Sequence, residues 1–282
     1  MQPLLPLITR TPGVLLDDHD HISMAIPVIS HIVRRLRECI VKEKDPHVKY
    51  ELEARFGNYH ANKFQPGVSS AFMTKVMQDL ASFDSWHHIT PCHEMHDFIY
   101  FAPDLKSNVR SSVSFTENNI KTTHIKKDKI ESVILKMHRD PYTFISSIDH
   151  EVDLIKENFD LRIDLSREEE IVNESRLPIL QNTTHMRIKQ RTSYFYASPS
   201  SHANIPSFQY DLTFAWSGTN KNEAEQSQKT SPPICEIECE FLNPRRLVID
   251  PECTDEYVAT SLLYKMADFV SLSKSSYAWP PR

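Results

Sequence analysis

Three glutamates alternate with apolar residues near the carboxyl end of the chain, in the segment ICEIECEF at residues 234–241. Successive side chains of a β-strand point to opposite faces, so Glu236, Glu238 and Glu240 share one face of the predicted strand. Neighbouring carboxylates on that face stand about 6.6 Å apart. Such a row of like charges is costly unless cations or a metal ion face it. We therefore expect positive charge opposite this strand.

A second segment, YELEARFG at residues 50–57, alternates in the same way and places Glu51, Glu53 and Arg55 on one face. Either segment alone is typical of an antiparallel strand with its charges in water. Brought together, the two segments would offer carboxylate oxygens with no inward His or Cys. Hard oxygen ligands favour Mg²⁺ or Mn²⁺ over zinc, and such an ion usually keeps several waters and is completed by substrate phosphates.

Three cations alternate in the segment RIKQR, which puts Arg187, Lys189 and Arg191 on one face within roughly 13 Å. Guanidinium and ammonium groups with this spacing can donate hydrogen bonds to a chain of phosphoryl groups. Other alternating segments carry cations that could add to this surface: Arg110, and either Lys127 or Lys129. Glu131 is predicted to share the face of the two lysines.

A metal ion on one side and cations on the other is the arrangement that phosphoryl transfer to water requires. The metal polarises the terminal phosphoryl group and a carboxylate orients the attacking water, so no covalent nucleophile is needed. A buried network of ion pairs that only holds the fold together would also explain the charges. It would not explain why acids and bases segregate onto separate strands. The pattern favours a metal-dependent phosphohydrolase.

About eight strands follow from the alternation, and most carry charge on one face and apolar groups on the other. The strand that follows the first glutamate strand ends near Phe101. The remaining six strands cover residues 108–115, 123–131, 159–168, 186–195, 208–214 and 234–241. In a simple sandwich the charged faces would be solvated and mixed in sign. A closed barrel explains the pattern better, because its charged faces line a polar lumen while its apolar faces pack outward. The predicted fold is α+β: an eight-stranded antiparallel β-barrel with a charged lumen, packed by flanking helices.

Helical periodicity predicts three helices around this barrel, each with a capping residue. The first runs from about residue 24 to 43 after Ser23, and the second from Ser69 or Ser70 to about residue 81. The third follows Thr254 and ends near residue 270.

Three segments make up the predicted domain organisation. Residues 1–22 form an N-terminal arm, residues 23–273 a single catalytic domain, and residues 274–282 a tail. Within the domain, residues 216–233 have turn and loop composition and predict a mobile hairpin connection, whose deletion should be tolerated.

The composition of the chain excludes several classes of protein. The net charge of −6 argues against a broad basic surface wrapped in nucleic acid, so no DNA partner is expected. Five cysteines without CxxC spacing indicate reduced, buried thiols. There is no run of 18 or more apolar residues and no positively charged signal peptide, so we expect an intracellular protein without a membrane partner.

Seven segments, taken in order, resemble the metal-dependent mRNA 5′-triphosphatases of fungi, protozoa and DNA viruses, which belong to the triphosphate tunnel metalloenzymes. They are YELEARFG, FQPGVSSAF, NVRSSVSF, LRIDLSREE, MRIKQR, FQYDLT and CEIECE. The likeness runs from about residue 48 to 245. The eight-stranded tunnel of that family agrees with the barrel predicted from the alternation.

The resemblance assigns roles by position. The family's metal-binding glutamates correspond to Glu51, Glu53, Glu236, Glu238 and Glu240. Of these, the first two and the last are the favoured direct ligands, with Glu238 next. The family's phosphate-binding cations correspond to Arg187, Lys189, Arg191, Arg110 and Lys127, with Lys129 as an alternative to Lys127.

Two further positions match the family's catalytic apparatus. Glu168 falls on the glutamate that orients the nucleophilic water. Asp211 lies on the strand that reads Arg-Ile-Asp-Leu-Thr in the family, but Gln209 stands here in place of the arginine. This departure removes the charge contact that the family makes from that strand.

The implied activity is removal of the γ-phosphate from 5′-triphosphate RNA, the first step of mRNA capping. Family members also hydrolyse nucleoside triphosphates with manganese. The chain has no Lys-x-Asp-Gly motif for nucleotidyl transfer, so an mRNA guanylyltransferase is the expected partner. The capping role implies a nuclear location, or a cytoplasmic one if the protein is viral.

Two alternatives remain at the level of sequence. One is an inorganic tripolyphosphatase or thiamine triphosphatase of the same fold, although those enzymes carry Glu-x-Glu-x-Lys where this chain has Arg55. The other is a non-catalytic module that holds an RNA end or docks the guanylyltransferase. Against it, all the glutamates and basic residues of the motifs are present.

Overall fold

The structure is a computed structural model that describes residues 19–102, 106–116, 119–136, 159–171, 183–197 and 206–272. Most of the predicted N-terminal arm and the predicted tail, residues 274–282, lie outside the described residues. No helix within the described ranges is long and apolar enough to cross a membrane.

Nine strands and five helices make up the described part of the chain. The strands are β1 (Val48–His60), β2 (Lys63–Pro66), β3 (His88–Ala102), β4 (Ser107–Thr116), β5 (Asn119–Lys136), β6 (Asp160–Glu170), β7 (Thr183–Ala197), β8 (Pro206–Gly218) and β9 (Ile234–Phe241). The helices are α1 (His19–Lys42), α2 (Ser70–Ser82), α3 (Lys221–Thr230), α4 (Arg246–Ile249) and α5 (Asp255–Leu272).

Eight of the strands close into an antiparallel barrel, which confirms the predicted fold. The order around it is β1, β6, β5, β4, β3, β7, β8, β9, and β9 pairs back onto β1. This closing pairing is short, from Glu53 opposite Glu240 to Arg55 opposite Glu238. The ninth strand, β2, lies outside the closed set and forms a hairpin with the end of β1.

The hydrophobic core lies outside the barrel, between its outer face and the helices α1, α2 and α5. Leu52, Phe56 and Ile237 from the strands and Leu36 and Leu262 from the helices are fully buried there. Burying one large apolar side chain stabilises the fold by roughly 1.5 to 3 kcal/mol, so this layer supplies much of the stability. The lumen is left to polar groups.

Two of the three predicted helix starts are confirmed. The Ser69 hydroxyl accepts a hydrogen bond from the Phe72 amide at 3.1 Å, and the Thr254 hydroxyl accepts one from the Tyr257 amide at 3.1 Å. The predicted start of α1 is wrong, because the helix begins at His19 and runs through Pro27. Nothing in the described residues explains this extension.

The prediction of a loop at residues 216–233 is also wrong. Strand β8 continues to Gly218, and α3 occupies most of the remaining segment. The Asn220 side chain accepts from the Glu223 amide at 3.0 Å, and Glu223 in turn accepts from the Thr219 amide at 2.9 Å, so two amide donors are satisfied reciprocally. Ala224 of the helix is fully buried. The segment is polar because Ala224 is the buried residue of α3. The polar composition therefore indicated a loop and gave no sign of the helix.

Two smaller expectations also need correction. A β-bulge between Lys129 and Glu131 breaks the alternation, and Glu131 approaches His31 of α1 at 3.9 Å instead of joining the lysines. All five cysteines are free, but only three of them are buried, and Cys92 is exposed.

Candidate active site

A cavity of about 410 Å³ runs inside the barrel and is lined by side chains from all eight barrel strands. The sequence-predicted residues along its wall are Glu51, Glu53, Arg110, Lys127, Lys129, Arg187, Lys189, Arg191, Asp211, Glu238 and Glu240. Two predicted residues lie at its margins: Glu168 contacts Lys127 at 3.5 Å, and the buried Glu236 contacts Arg187 at 2.7 Å. The two-residue period of the strands thus brings the predicted charges into one enclosed space.

Carboxylates gather at one end of this cavity. Burial, followed by the charge of Glu53, raises the pKa of Glu51 to about 7. Burial and the charge of Glu51 likewise raise the pKa of Glu240 well above its usual range, and Glu168 adds to both effects. Three cations lie among these four carboxylates: the Lys127 ammonium contacts Glu51, Arg55 lies 3.0 Å from Glu53, and Arg110 lies 3.4 Å from Glu168. This end therefore holds more carboxylates than cations.

The donor set fits a hard divalent cation that is completed by water and substrate. Glu51, Glu53 and Glu240 present only carboxylate oxygen, the ligand type of Mg²⁺ and Mn²⁺. The raised pKa values of Glu51 and Glu240 show a repulsion that such an ion would relieve. The same residues do not form a complete protein cage. In the described part of the chain, no three His, Cys, Asp or Glu side chains converge closely enough to hold a metal by themselves.

The other two predicted glutamate ligands lie in ion pairs with arginines. Glu238 Oε1 is 2.6 Å from Arg55 Nη2, and Glu238 Oε2 is 3.3 Å from Arg191. Burial raises the pKa of Glu238, but Arg55 and Arg191 outweigh it and lower the pKa to about 2. Glu236 is held by Arg187 in the same way. Their assignment as metal ligands stays a prediction.

Strand β7 supplies the basic wall, with Arg187, Lys189 and Arg191 all lining the cavity. The Lys189 ammonium contacts the Asp97 carboxylate of the neighbouring strand β3. Burial lowers the pKa of Lys189 to about 8: Asp97 opposes the shift, while Arg191 and Arg187 add to it. Burial acts to raise the pKa of Asp97, but Lys189 and Arg110 outweigh it and hold it at about 2. The wall is thus a row of cations fixed by buried acids.

No protein-family model matches the chain, and neither does any curated protein sequence. Among solved structures, it is similar to the RNA triphosphatase Pct1 of S. pombe, with 14% identity, a TM-score of 0.56, and coverage of 96% of this chain and 100% of that chain. The chain has the triphosphate tunnel fold.

Two further solved structures are similar. Pct1 in complex with the Spt5 CTD is 14% identical with a TM-score of 0.56, covering 89% of this chain and 95% of that one. The RNA triphosphatase domain of a mimivirus mRNA capping enzyme is also 14% identical, with a TM-score of 0.46 and coverage of 82% and 95%.

The structure distinguishes Lys127 from Lys129, which the sequence left as alternatives. Lys127 lies among the carboxylates near Glu51 and Glu168. Lys129 is 54% exposed and lies 3.3 Å from Asp164 at a different part of the wall. Arg110 Nη2 donates to Glu168 Oε1 at 3.4 Å. Lys127 and Arg110 are therefore the pair that meets the acid end of the tunnel.

Asp211 acts within the tunnel as an acceptor that positions its neighbours. It accepts from Arg191 at 2.7 Å and from the Ser193 hydroxyl at 2.5 Å. Gln209 donates to the same carboxylate at 2.8 Å. This strand thus orients Arg191 without offering a charge of its own to a substrate.

Sequence reasoning assigned no role to several tunnel residues that the structure brings into the wall: Arg55, Asp97, Arg162 and Asp164. Their signal was present, because each is a charged residue at an inward-facing position of an alternating strand. What the sequence lacked was the register between strands, which sets Asp97 opposite Arg187 and within reach of Lys189.

A second cavity, of about 670 Å³, lies at the acid end of the tunnel, shares Glu51 and Glu240 with it, and is also lined by Glu168. Its remaining wall is largely apolar and includes Pro244 and Val248. The carboxylates of the acid end therefore border both cavities.

Proposed function

We propose that this protein is a metal-dependent RNA 5′-triphosphatase that removes the γ-phosphate of 5′-triphosphate RNA and also hydrolyses nucleoside triphosphates. The observation that supports this best is one enclosed tunnel in which surplus carboxylates face a wall of buried cations. The shared fold with Pct1, which is described as an RNA triphosphatase, favours an RNA end as the substrate.

The acid end is the proposed metal site. Glu51, Glu53 and Glu240 would hold Mg²⁺ or Mn²⁺, with Glu238 as the next candidate. When bound, the ion would polarise the terminal phosphoryl group and offset its charge. Phosphate oxygens and water would complete its coordination, as is usual for magnesium.

The cations of the tunnel would bind the phosphates. Arg187, Lys189 and Arg191 line one wall, and each can donate to phosphate oxygens in place of its present acid partner. Lys127 and Arg110 would reach the terminal phosphate, because both already approach Glu168. These contacts stabilise the charge that spreads over the phosphoryl oxygens in the transition state.

Glu168 would accept a hydrogen bond from the attacking water and orient it toward the γ-phosphorus. A new oxygen–phosphorus bond forms as the bond to the bridging oxygen breaks, and that oxygen leaves with the electron pair on the β-phosphate. The water's proton leaves with the phosphate product. Glu168 is available for this role because its present partners, Arg110 and Lys127, would turn to the phosphate.

Cap formation would be the biological role, as its first step. An mRNA guanylyltransferase is the proposed partner, because guanylyl transfer follows this step and residues 1–282 contain no Lys-x-Asp-Gly motif. The proposed location that goes with this role is the nucleus, or the cytoplasm if the protein is viral.

The test measures inorganic phosphate released from γ-labelled triphosphate-ended RNA with Mg²⁺ or Mn²⁺, using the wild type, Glu51→Ala and Lys127→Ala. We expect metal-dependent release that both substitutions abolish. Glu169→Ala and Lys126→Ala are matched controls, because their side chains alternate with those of the tunnel residues and pair with Arg167 and Asp128. Release from tripolyphosphate but not from RNA would favour the alternative tunnel enzyme, and binding without turnover would favour a non-catalytic module.

A further inference from the structure

Two cations that the proposed mechanism does not use share one carboxylate in the tunnel wall. Arg162 Nε of β6 lies 2.6 Å from Asp164 Oδ2, and Lys129 Nζ of β5 lies 3.3 Å from Asp164 Oδ1. Both cations line the tunnel. The side chain of Arg162 is 17% exposed, whereas that of Lys129 is 54% exposed. One acid therefore balances only half of this positive charge, beside open solvent.

The β1–β2 hairpin supplies an aromatic support for Arg162. The Arg162 guanidinium carbon lies 4.5 Å from the centre of the Phe64 ring. The ring reaches this place by lying against Gly57, where an added Cβ would stand 2.6 Å from Phe64 Cζ and 2.3 Å from the Gln65 carbonyl oxygen. Only glycine admits this contact. A guanidinium group stacked on one aromatic ring has a second planar face that can stack on another group.

Arg162 lies past the acid end along its own strand. It is six residues from Glu168, roughly 20 Å at the rise of a β-strand, and it stands opposite Arg55, two residues or roughly 7 Å beyond Glu53. The acid end repels a polyanion wherever no metal ion offsets its charge, whereas Arg162 and Lys129 attract one. A substrate whose terminal phosphate meets the metal-binding end would therefore extend toward Arg162 and Lys129, and its nucleotide would leave the tunnel there.

We propose that Arg162, held flat by Phe64, stacks on the base of the substrate's 5′-terminal nucleotide, while Lys129 contacts the phosphodiester that follows it. Single-stranded RNA is commonly bound by stacking of bases on guanidinium planes and by lysine contacts to the backbone. This inference rests on the proposed triphosphatase function. It adds a determinant that distinguishes an RNA end from inorganic polyphosphate.

The test compares KM and kcat for a short triphosphate-ended RNA and for inorganic tripolyphosphate in the same manganese buffer. Arg162→Ala should raise KM for the RNA about tenfold, the effect expected when one stacked base is lost. Its kcat, and its KM for tripolyphosphate, should stay within about twofold of wild type. Arg162→Lys should not restore the RNA KM, because an ammonium group does not stack.

Two further variants complete the design. Phe64→Leu removes the support without removing a charge, and should raise the RNA KM in the same direction. Arg167→Ala is the matched control, because Arg167 lies on the same strand but pairs with Glu169 at 2.7 Å and Glu43 at 3.6 Å, away from the tunnel. It should leave both KM values unchanged, and thermal unfolding should show that every variant is folded.

The outcomes separate this inference from the function on which it rests. An equal rise of KM for both substrates, or no change for either, would overturn the nucleotide contact while leaving the triphosphatase activity in place. A wild-type protein that releases phosphate from tripolyphosphate but not from RNA would overturn the proposed function and, with it, the role of Arg162.

Discussion

Arg55 Nη2 lies 2.6 Å from Glu238 Oε1, across the seam where the last barrel strand pairs with the first. The same nitrogen is 3.0 Å from Glu53 Oε1. Burial lowers the pKa of Arg55, but the carboxylates of Glu238 and Glu53 outweigh it and hold the pKa above the usual range of arginine. Because β1 and β9 pair over only three residues, this buried ion pair belongs to the closure of the barrel as well as to the tunnel wall.

Arg55→Ala should therefore destabilise the protein. It leaves Glu53 without its arginine and Glu238 with Arg191 alone, and removing one partner of a buried ion pair costs roughly 3 kcal/mol. The free energy of unfolding in urea at neutral pH measures this loss. Arg35→Ala is the control, because Arg35 forms an exposed pair with Glu38, and its effect should stay below about 1 kcal/mol. Equal effects of the two variants would show that the seam does not depend on Arg55.

Metal binding should stabilise the folded protein through the acid end. An ion that binds only the native state, at a concentration of about 100 times its dissociation constant, adds roughly 2.7 kcal/mol to the free energy of unfolding. We expect Mn²⁺ to raise the melting temperature of the wild type, and chelation to reverse the change. Glu51→Gln and Glu240→Gln should lose the response, whereas Glu169→Gln should keep it.

Glu236→Gln tests whether Glu236 binds the metal ion or only pairs with Arg187. Because Glu236 is paired with Arg187, we expect this variant to keep most of the manganese response. A response lost as completely as in Glu51→Gln would place Glu236 among the direct ligands.

The decrease of kcat/KM on the alkaline side of the pH profile should follow deprotonation of Lys189. Its pKa is about 8, so its positive charge is present below that pH and is lost as pH rises through it. Since phosphate binding needs the cation, kcat/KM for RNA should fall above about pH 8. The same decrease should move to higher pH in Lys189→Arg, because a guanidinium group stays protonated. An unshifted decrease in that variant would assign the titration to another group.

Helix α3 should be needed for stability, contrary to the expectation that residues 216–233 can be deleted. A Cβ added at Gly218 would stand 2.4 Å from the Ala224 amide nitrogen, so Gly218→Ala must displace the helix from β8. We expect a loss of about 1 to 3 kcal/mol in the free energy of unfolding, the usual size of an overpacking defect. Ser217→Ala on the same strand should have a much smaller effect. A Gly218→Ala variant as stable as wild type would restore the loop interpretation.

The sequence predicted the barrel because strand alternation has a fixed period of two and the charged face was consistent from strand to strand. It also predicted which residues of β1, β7 and β9 face the lumen. It could not predict the partners of those residues, such as Asp97 beside Lys189, because they depend on the register between strands far apart in the chain. The bulge before Glu131 and the polar helix α3 were missed because neither leaves a hydrophobic pattern.

The placement of the core outside the barrel determines how this protein can change over evolutionary time. On β1, Leu52, Ala54 and Phe56 are buried against the helices, while the residues between them face the tunnel. Folding depends mainly on the first set, because buried apolar surface is the dominant stabilising contribution. Mutations in the second set can therefore alter what the tunnel accepts with little loss of hydrophobic stabilisation. Along each strand, residues that determine hydrophobic stability therefore alternate with residues that determine which substrate the tunnel accepts, and the two sets can evolve separately.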